Sequence, residues 1–307
     1  MSDLTLSLPD LSTEAWPGPP PERPLRLGSE EHKRLFCKTL LDTFDPYRPA
    51  VIDWPQLEAE ARERLVNLPI WDIAVQTEGK AMRRVRAYAD QIGDQLLRRA
   101  VELNAFEEGR HKVVLSNLVQ AYGIPLEPEP EYRLPRDREW EFMVTGFSEC
   151  IDSFFAFGLF ETAKRSGYFP EDLVDTFEPV IQEEGRHILF FVNWVAWHRR
   201  NMPLWRRPWF ELKVWAVWLF LAWERIGIAR DIDGGGSKAQ DNNFTVTGAS
   251  QVGADIDVAD LMRLCLAEND RRLGGYDARL LRPMFVPAMV RLALVFLRSS
   301  KPQPRTA

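Results

Sequence analysis

The phrase Glu-Glu-Gly-Arg-His occurs twice in this chain, at residues 107–111 and 183–187. Each copy contains a Glu-x-x-His pair, Glu108 with His111 and Glu184 with His187. On an α-helix, positions i and i+3 lie nearly above one another, so both side chains of a pair can grip a single ion. A lone pair of this kind arises by chance on many solvent-facing helices. A duplicated one narrows what the chain can fold into. Of the 4 histidines, the two phrases claim half, and His32 and His198 are read as core or surface residues.

Two such helices facing each other, each joined by a glutamate from a further helix, form a carboxylate-bridged di-iron or di-manganese site inside a four-helix bundle. The further glutamates must stand one antiparallel hairpin upstream, and Glu78 and Glu149 do. A helix of about 14 residues rises about 21 Å. From Glu78 the chain can climb that far to about Ile92, turn near Gly93 and descend to Glu108. From Glu149 it can run to about Ser166, turn through residues 167–170 and return to Glu184. Glu161 lies too near the end of that helix for the crossing, whereas Asp152 shares a face with Glu149 and could support or replace it.

In this reading Glu78 and Glu149 each bind one metal, Glu108 and Glu184 bridge, and His111 and His187 each cap one ion. Glu107 and Glu183 sit about 100° round their helices. They are expected to accept a hydrogen bond from the outer ring N–H of the histidine on the facing helix. Arg110 and Arg186 either pair with these acids and keep them ionised or form surface salt bridges. Glycine follows a ligand at Gly79, Gly109 and Gly185. A glycine costs about 1 kcal/mol in a helix, so its recurrence suggests close packing or a bulge beside the metals.

Composition excludes several alternatives. A net charge of −6 with no basic tract argues against a nucleic-acid partner. Cys37, Cys150 and Cys265 are too few and too scattered for a disulfide framework, a zinc ribbon or an iron–sulfur module, and a reducing cytoplasm fits them. The N-terminus lacks a basic-then-apolar signal pattern. The apolar run 214–223 is far shorter than the roughly 20 residues that span a bilayer.

The expected fold class is all-α, a four-helix bundle with extra N- and C-terminal helices. Residues 1–28, dense in proline, read as a disordered arm, and 29–68 as two short bracing helices. The bundle occupies 69–201, with helices at 69–92, 94–122, 137–166 and 170–200. Residues 202–300 form a helical extension with a tryptophan-rich helix at 205–230, a glycine-rich loop at 231–255 and helices at 256–272 and 277–298, the latter interrupted near Pro283 and Pro287. The tryptophan-rich helix either packs on the outside of the bundle or lies against a membrane as an interfacial helix. Phe147, Phe154, Phe155, Phe157 and Phe160 are core, or else wall an apolar pocket beside the metals.

The order Glu, Glu-x-x-His, Glu, Glu-x-x-His over about residues 69–201 resembles the ferritin-like di-iron carboxylate superfamily. The doubled acid-Glu-x-Arg-His form looks most like its bacterial multicomponent monooxygenases. The resemblance implies two Fe, with Mn or a mixed Mn/Fe pair as variants, held by Glu78, Glu108, His111, Glu149, Glu184 and His187. It implies an O2-dependent oxidase or oxygenase acting on a small or medium apolar organic molecule. Electrons would come from an external ferredoxin or flavoprotein, since no flavin or iron–sulfur motif is visible, and the reading allows a homodimer. Leu115 stands where ribonucleotide reductase small subunits carry a radical tyrosine. The cysteine count rules out the rubredoxin module of rubrerythrins, and the C-terminal extension is foreign to ferritin subunits. Ferroxidase or peroxide-detoxifying chemistry is the alternative activity, and a non-catalytic metal-binding scaffold is a further one.

Overall fold

Side-chain caps set where several helices begin. Ser29 accepts from the backbone N–H of His32 (3.1 Å) and opens α1, Glu30–Asp42. Asp94 accepts from Leu97 (2.9 Å) and opens α4, Gln95–Tyr122. Asp137 accepts from Trp140 (3.0 Å) and opens α5, Arg138–Ser166. Such caps satisfy N–H groups that the first helical turn leaves unpaired. At the far ends of α4 and α5 the chain turns through Gly123 and Gly167, both at positive φ, where a glycine avoids the Cβ clash.

The computed structural model describes residues 24–129, 131–133, 136–234 and 257–300. Among them helix is the only regular structure, as the all-α expectation requires. Residues 1–23 of the proline-rich arm, 235–255 of the glycine-rich loop and 256, the expected start of the next helix, lie outside the described residues. The remaining helices are α2 (Ala59–Val66), α3 (Trp71–Ala89), α6 (Glu171–Asp175), α7 (Glu178–Asn201), α8 (Arg207–Gly234), α9 (Val258–Gly274) and α10 (Phe285–Ser300). α8 therefore continues through 231–234, which composition assigns to the loop.

The expected single helix over 170–200 is broken. α6 ends at Asp175, and α7 restarts at Glu178 with Pro179 in its first turn. Proline has no N–H to donate, and its ring clashes with the carbonyl four residues back, which here belongs to Asp175.

α3, α4, α7 and α5 form a closed ring of neighbours, with α1 laid along α4 and α7 and α9 along α5. Their shared core carries the fully buried Trp194 of α7, whose ring meets those of Tyr88, Phe142, Phe191 and His198. Phe36 and Leu40 of α1 join the same core, so α1 is integral to it, while α2 packs through Leu65 on a smaller cluster with Trp71 and Leu118. α5 is long and apolar enough to cross a membrane, an exception to the expectation of no such span, yet 67% of its apolar window is buried inside the protein. It is the central core helix.

Close helix approach falls at Gly146 and Gly158, neither of which follows a ligand. A Cβ on Gly146 would lie 2.2 Å from the Phe191 ring, and one on Gly158 would lie 2.3 Å from Cys265 Sγ and 3.0 Å from its backbone. At Gly185 the nearest atom is Leu273 Cδ2 at an ordinary 3.5 Å, and at Gly79 the space is taken by the Lys112 side chain. The helices around the ligands run without a bulge. Because the obstacle at Gly158 includes backbone, Gly158→Ala should force α5 and α9 apart and destabilise the fold by about 1–3 kcal/mol. Urea unfolding measures this, and a change below about 0.5 kcal/mol would contradict the packing.

Candidate metal centre

The helix period carries Glu108 and His111 to one face of α4, and Glu184 and His187 to one face of α7. The bundle turns those faces inward. Glu78 of α3, Glu108, His111 and Glu184 each offer a ligand atom within 4.8 Å of the others, and so do Glu108, Glu149 of α5 and His187. All six predicted ligands thus meet at two adjoining positions. The two imidazole rings lie 5.8 Å apart between centroids. Glu108 belongs to both groups, as a bridging carboxylate must. Glu184 belongs to the first alone, because the Ser153 hydroxyl donates to its Oε2 at 3.0 Å while Oε1 faces His111. Glu108 therefore has the placement that a bridge would need, and Glu184 stands in the first group with one oxygen held by Ser153.

The structure also chooses between the acids of α5. Glu149 is in the second group, whereas Asp152 accepts from Ser148 Oγ (2.8 Å) and pairs with Arg225 of α8 at 2.7 Å. Asp152 is thus held by Ser148 and Arg225 and stands in neither group. Arg225 draws it aside, and only the packing of α8 on α5 reveals that partner.

Outside the ligands, the two phrases exchange partners. The ring of His111 is hydrogen-bonded through Nε2 to Glu183 (2.8 Å), and Arg110 also donates to Glu183. His187 Nε2 is bonded to Glu107 (2.8 Å), and Arg186 donates to Glu107 at 2.7 Å. The acid of each phrase thus holds the histidine and the arginine of the other. Both arginines are 3% exposed, which rules out surface salt bridges. The end of α1 and the segment after it complete their shells. Arg110 donates to the carbonyls of Asp45 (2.6 Å) and Tyr47 (3.2 Å) and lies 3.9 Å from the centroid of the Tyr47 ring. Arg186 donates to the carbonyl of Leu40 at 3.2 Å, and Tyr47 donates its hydroxyl to Glu183 at 3.3 Å. Tyr47 and Ser153 escaped the sequence reading. Neither is in a motif, and no periodicity marks them.

The remaining histidines do structural work. His32 is fully buried and bonded to Asn193 (2.9 Å), and His198 is bonded to Glu139 (2.9 Å). The phenylalanines of α5 pack in the core: Phe147 against Phe191 and Trp218, Phe154 against Phe155, and Phe157 beneath Arg272.

Charge is badly balanced inside the ring. With Nε2–H donated outward, each Nδ1 points a lone pair inward, His187 at Glu108 Oε1 (2.9 Å) and His111 at Glu184 Oε1 (3.2 Å). Both Nδ1 atoms, and one oxygen each of Glu108 and Glu149, are buried without a hydrogen bond. Two acceptors at that distance need a cation between them. Burial, together with the charges of Glu108 and Glu184 and against the bond from His111, pushes the Glu78 carboxyl up to about 8. Burial and the same two neighbours push Glu149 well up. Burial alone would lower both histidines, yet the hydrogen bonds they donate to the surrounding carboxylates raise them well above the ordinary value. In the metal-free chain, protons take the place that dications would fill. Four carboxylates and two imidazoles without a thiolate form a donor set suited to iron or manganese, so the residues fit a metal pair.

A cavity of about 160 Å³ reaches Glu78, Glu108, Glu149 and Glu184 from between α3, α5 and α8. Ile73, Ala81, Val144 and Leu221 give it apolar walls, and Gln76, Lys80, Thr145 and Ser148 give it polar ones. None of the α5 phenylalanines lines it, and Phe147, Phe154 and Phe157 are buried in the core. No protein-family model matches this chain, and no curated protein or solved structure does so either.

Proposed function

We propose that the chain is a ferritin-like di-iron carboxylate protein that uses O2 to oxidise a small organic molecule. The observation that carries this reading is the convergence of six buried donors on two adjoining positions beside a cavity. Iron bound there would supply the electrons and the open coordination positions for O2 activation. The protein's own part is positioning. Glu107 and Glu183 fix the rotation and tautomer of His187 and His111, and Arg186 and Arg110 hold those acids ionised in a dry interior. Ser153 fixes one oxygen of Glu184. The cavity touches the four carboxylates but neither histidine, so an incoming molecule approaches from the carboxylate side. Its mixed lining suits a substrate with an apolar body and one polar end. With no flavin or iron–sulfur motif in the chain, reduction falls to an external ferredoxin or flavoprotein.

One feature favours a second reading. At about 160 Å³ the cavity is smaller than the roughly 300–1,000 Å³ usual for ligand pockets, which suits ferroxidase or peroxide chemistry without an organic substrate. Aerobically purified protein should contain about two iron ions per chain, as such a carboxylate site requires. Reductant-dependent O2 uptake that rises with a small organic substrate supports the oxygenase. Uptake that depends on ferrous ion alone, or rapid peroxide turnover, moves the reading to the alternative. Protein that takes up neither iron nor manganese ends both.

A further inference from the structure

The cavity beside the ligands is lined by polar side chains that the protein itself does not use. Gln76 of α3 is only 9% exposed, yet its amide has no hydrogen bond among the described residues. Thr145 of α5 is 5% exposed, and its Oγ1 is buried without a hydrogen bond. A buried polar group left unpaired is unfavourable, and two of them share this one cavity. Lys80 stands four positions after Gln76, so the two side chains are neighbours on one face of α3. It is half-buried on the same cavity wall and has neither a hydrogen bond nor an ion pair among the described residues.

The other charged side chains of the wall have partners. Arg84 pairs with Glu141 at 2.6 Å and Asp152 with Arg225 at 2.7 Å. Glu224, whose side chain is 33% exposed, lies 3.9 Å from the same Arg225. Two dications would balance the four ligand carboxylates. Lys80 is then the cation of this wall that still lacks a counter-charge among the described residues. An ammonium, an amide and a hydroxyl can all donate, and a carboxylate accepts from several donors at once. One unpartnered cation matches a monoanion, whereas a phosphate ester or a dicarboxylate would bring a second charge with nothing to meet it. A neutral molecule would displace water from Lys80 and give no counter-charge in return.

We propose that the cavity takes a small monocarboxylic acid, its carboxylate held by Lys80 and Gln76 with Thr145 across from them, and its apolar body turned toward the ligand glutamates. An apolar protein cavity of about 150 Å³ holds benzene. This one, at about 160 Å³, admits a body of that size between Ile73, Ala81, Val144 and Leu221. The acid's role as substrate rests on the oxygenase reading, and its entry rests on bound dications, since four bare carboxylates would repel it.

The test uses the full chain loaded with manganese under argon, with benzoate and hexanoate titrated against their amides by calorimetry. The parent should prefer each acid over its amide by about tenfold or more. Lys80→Met keeps the stem, loses the charge and should abolish that preference, whereas Lys80→Arg should keep it. Gln76→Leu should also weaken binding of the acids, and because Gln76 has no partner in the protein it should leave the melting temperature unchanged. Equal binding of the acids by parent and K80M would place the carboxylate on the metals or elsewhere and leave Lys80 only to temper the charge of the glutamates. That result overturns the proposal, as do amides that bind as tightly as the acids, binding of neither acid, and protein that takes up no manganese. Oxygen uptake by the iron-loaded chain separates the two readings. Uptake raised by the amides and not by the acids keeps the oxygenase and overturns the carboxylate site. Uptake that no organic molecule raises, beside binding of the acids that depends on Lys80, removes the oxygenase and supports the site.

Discussion

Glu108→Gln is expected to strip both metal positions at once, because Glu108 is the carboxylate common to the two ligand groups. The substitution keeps the volume and removes the charge. Outer hydrogen-bond partners alone cost about 10–100-fold in metal affinity, so loss of a shared ligand should cost roughly 100-fold or more for both ions. Titration with ferrous ion or manganese checks this, and a variant that still binds one equivalent tightly would show that Glu108 does not bridge. Without metal, the buried carboxylates repel one another, and the charge of Glu108 is among the causes that raise Glu78 and Glu149.

The same imbalance gives the metal-free parent an unusual pH dependence. The Glu78 carboxyl, at about 8 in the fold against an ordinary 4.5, holds a proton that the unfolded chain has lost. Its contribution is fully present below about 4.5 and is lost as pH rises through 8. Chelated protein should therefore weaken toward alkaline pH, and bound metal should remove that slope.

Arg186→Met should be the more damaging change to the fold itself. Arg186 is buried and donates to Glu107 at 2.7 Å. Removing one partner of a buried ion pair costs about 3–5 kcal/mol, because the other charge is left without compensation. Glu107 would keep His187, whose ring it positions, and the more distant Arg110 at 3.7 Å, so metal affinity should also fall by about 10–100-fold. Burial opposes ionisation of Glu107, yet hydrogen bonding to His187 and the charge of Arg186 hold its carboxyl below the ordinary value. A depressed carboxyl adds stability above its unfolded pKa and loses it as pH falls through the folded one. The variant, with less depression, should show a smaller loss on the acid side. E107Q/R186M removes both charges and should cost less than R186M alone. Equal costs for the single and the double substitution would mean that the two residues are not coupled.

The ligand set was legible because each of its parts is local. A Glu-x-x-His pair shares a helix face whatever surrounds it, and a hairpin of known rise places the upstream glutamate opposite. The outer acids followed from the same period, one step round the helix, and their exchange between phrases was anticipated. The break before α7 was also written in the chain, at Pro179, but the start signal at Pro170 concealed it. Asp152 could not be separated from Glu149 in this way. They lie three positions apart on one face, and Arg225, which draws Asp152 aside, comes from a helix packed across α5.

By itself, then, the sequence determined most of the helices, their order and the six side chains that share inward faces, because backbone periodicity dictates all three. Tertiary packing alone decided which glycines admit a neighbouring helix, that Ser153 and Tyr47 reach Glu184 and Glu183, and that Glu108 but not Glu184 lies in both groups. It also decided that Gln76, Lys80 and Thr145 line one cavity and are left without a partner among the described residues. Those are contacts between segments far apart along the chain. Their geometry depends on how helices cross, and helix crossing has no period that a linear reading can detect.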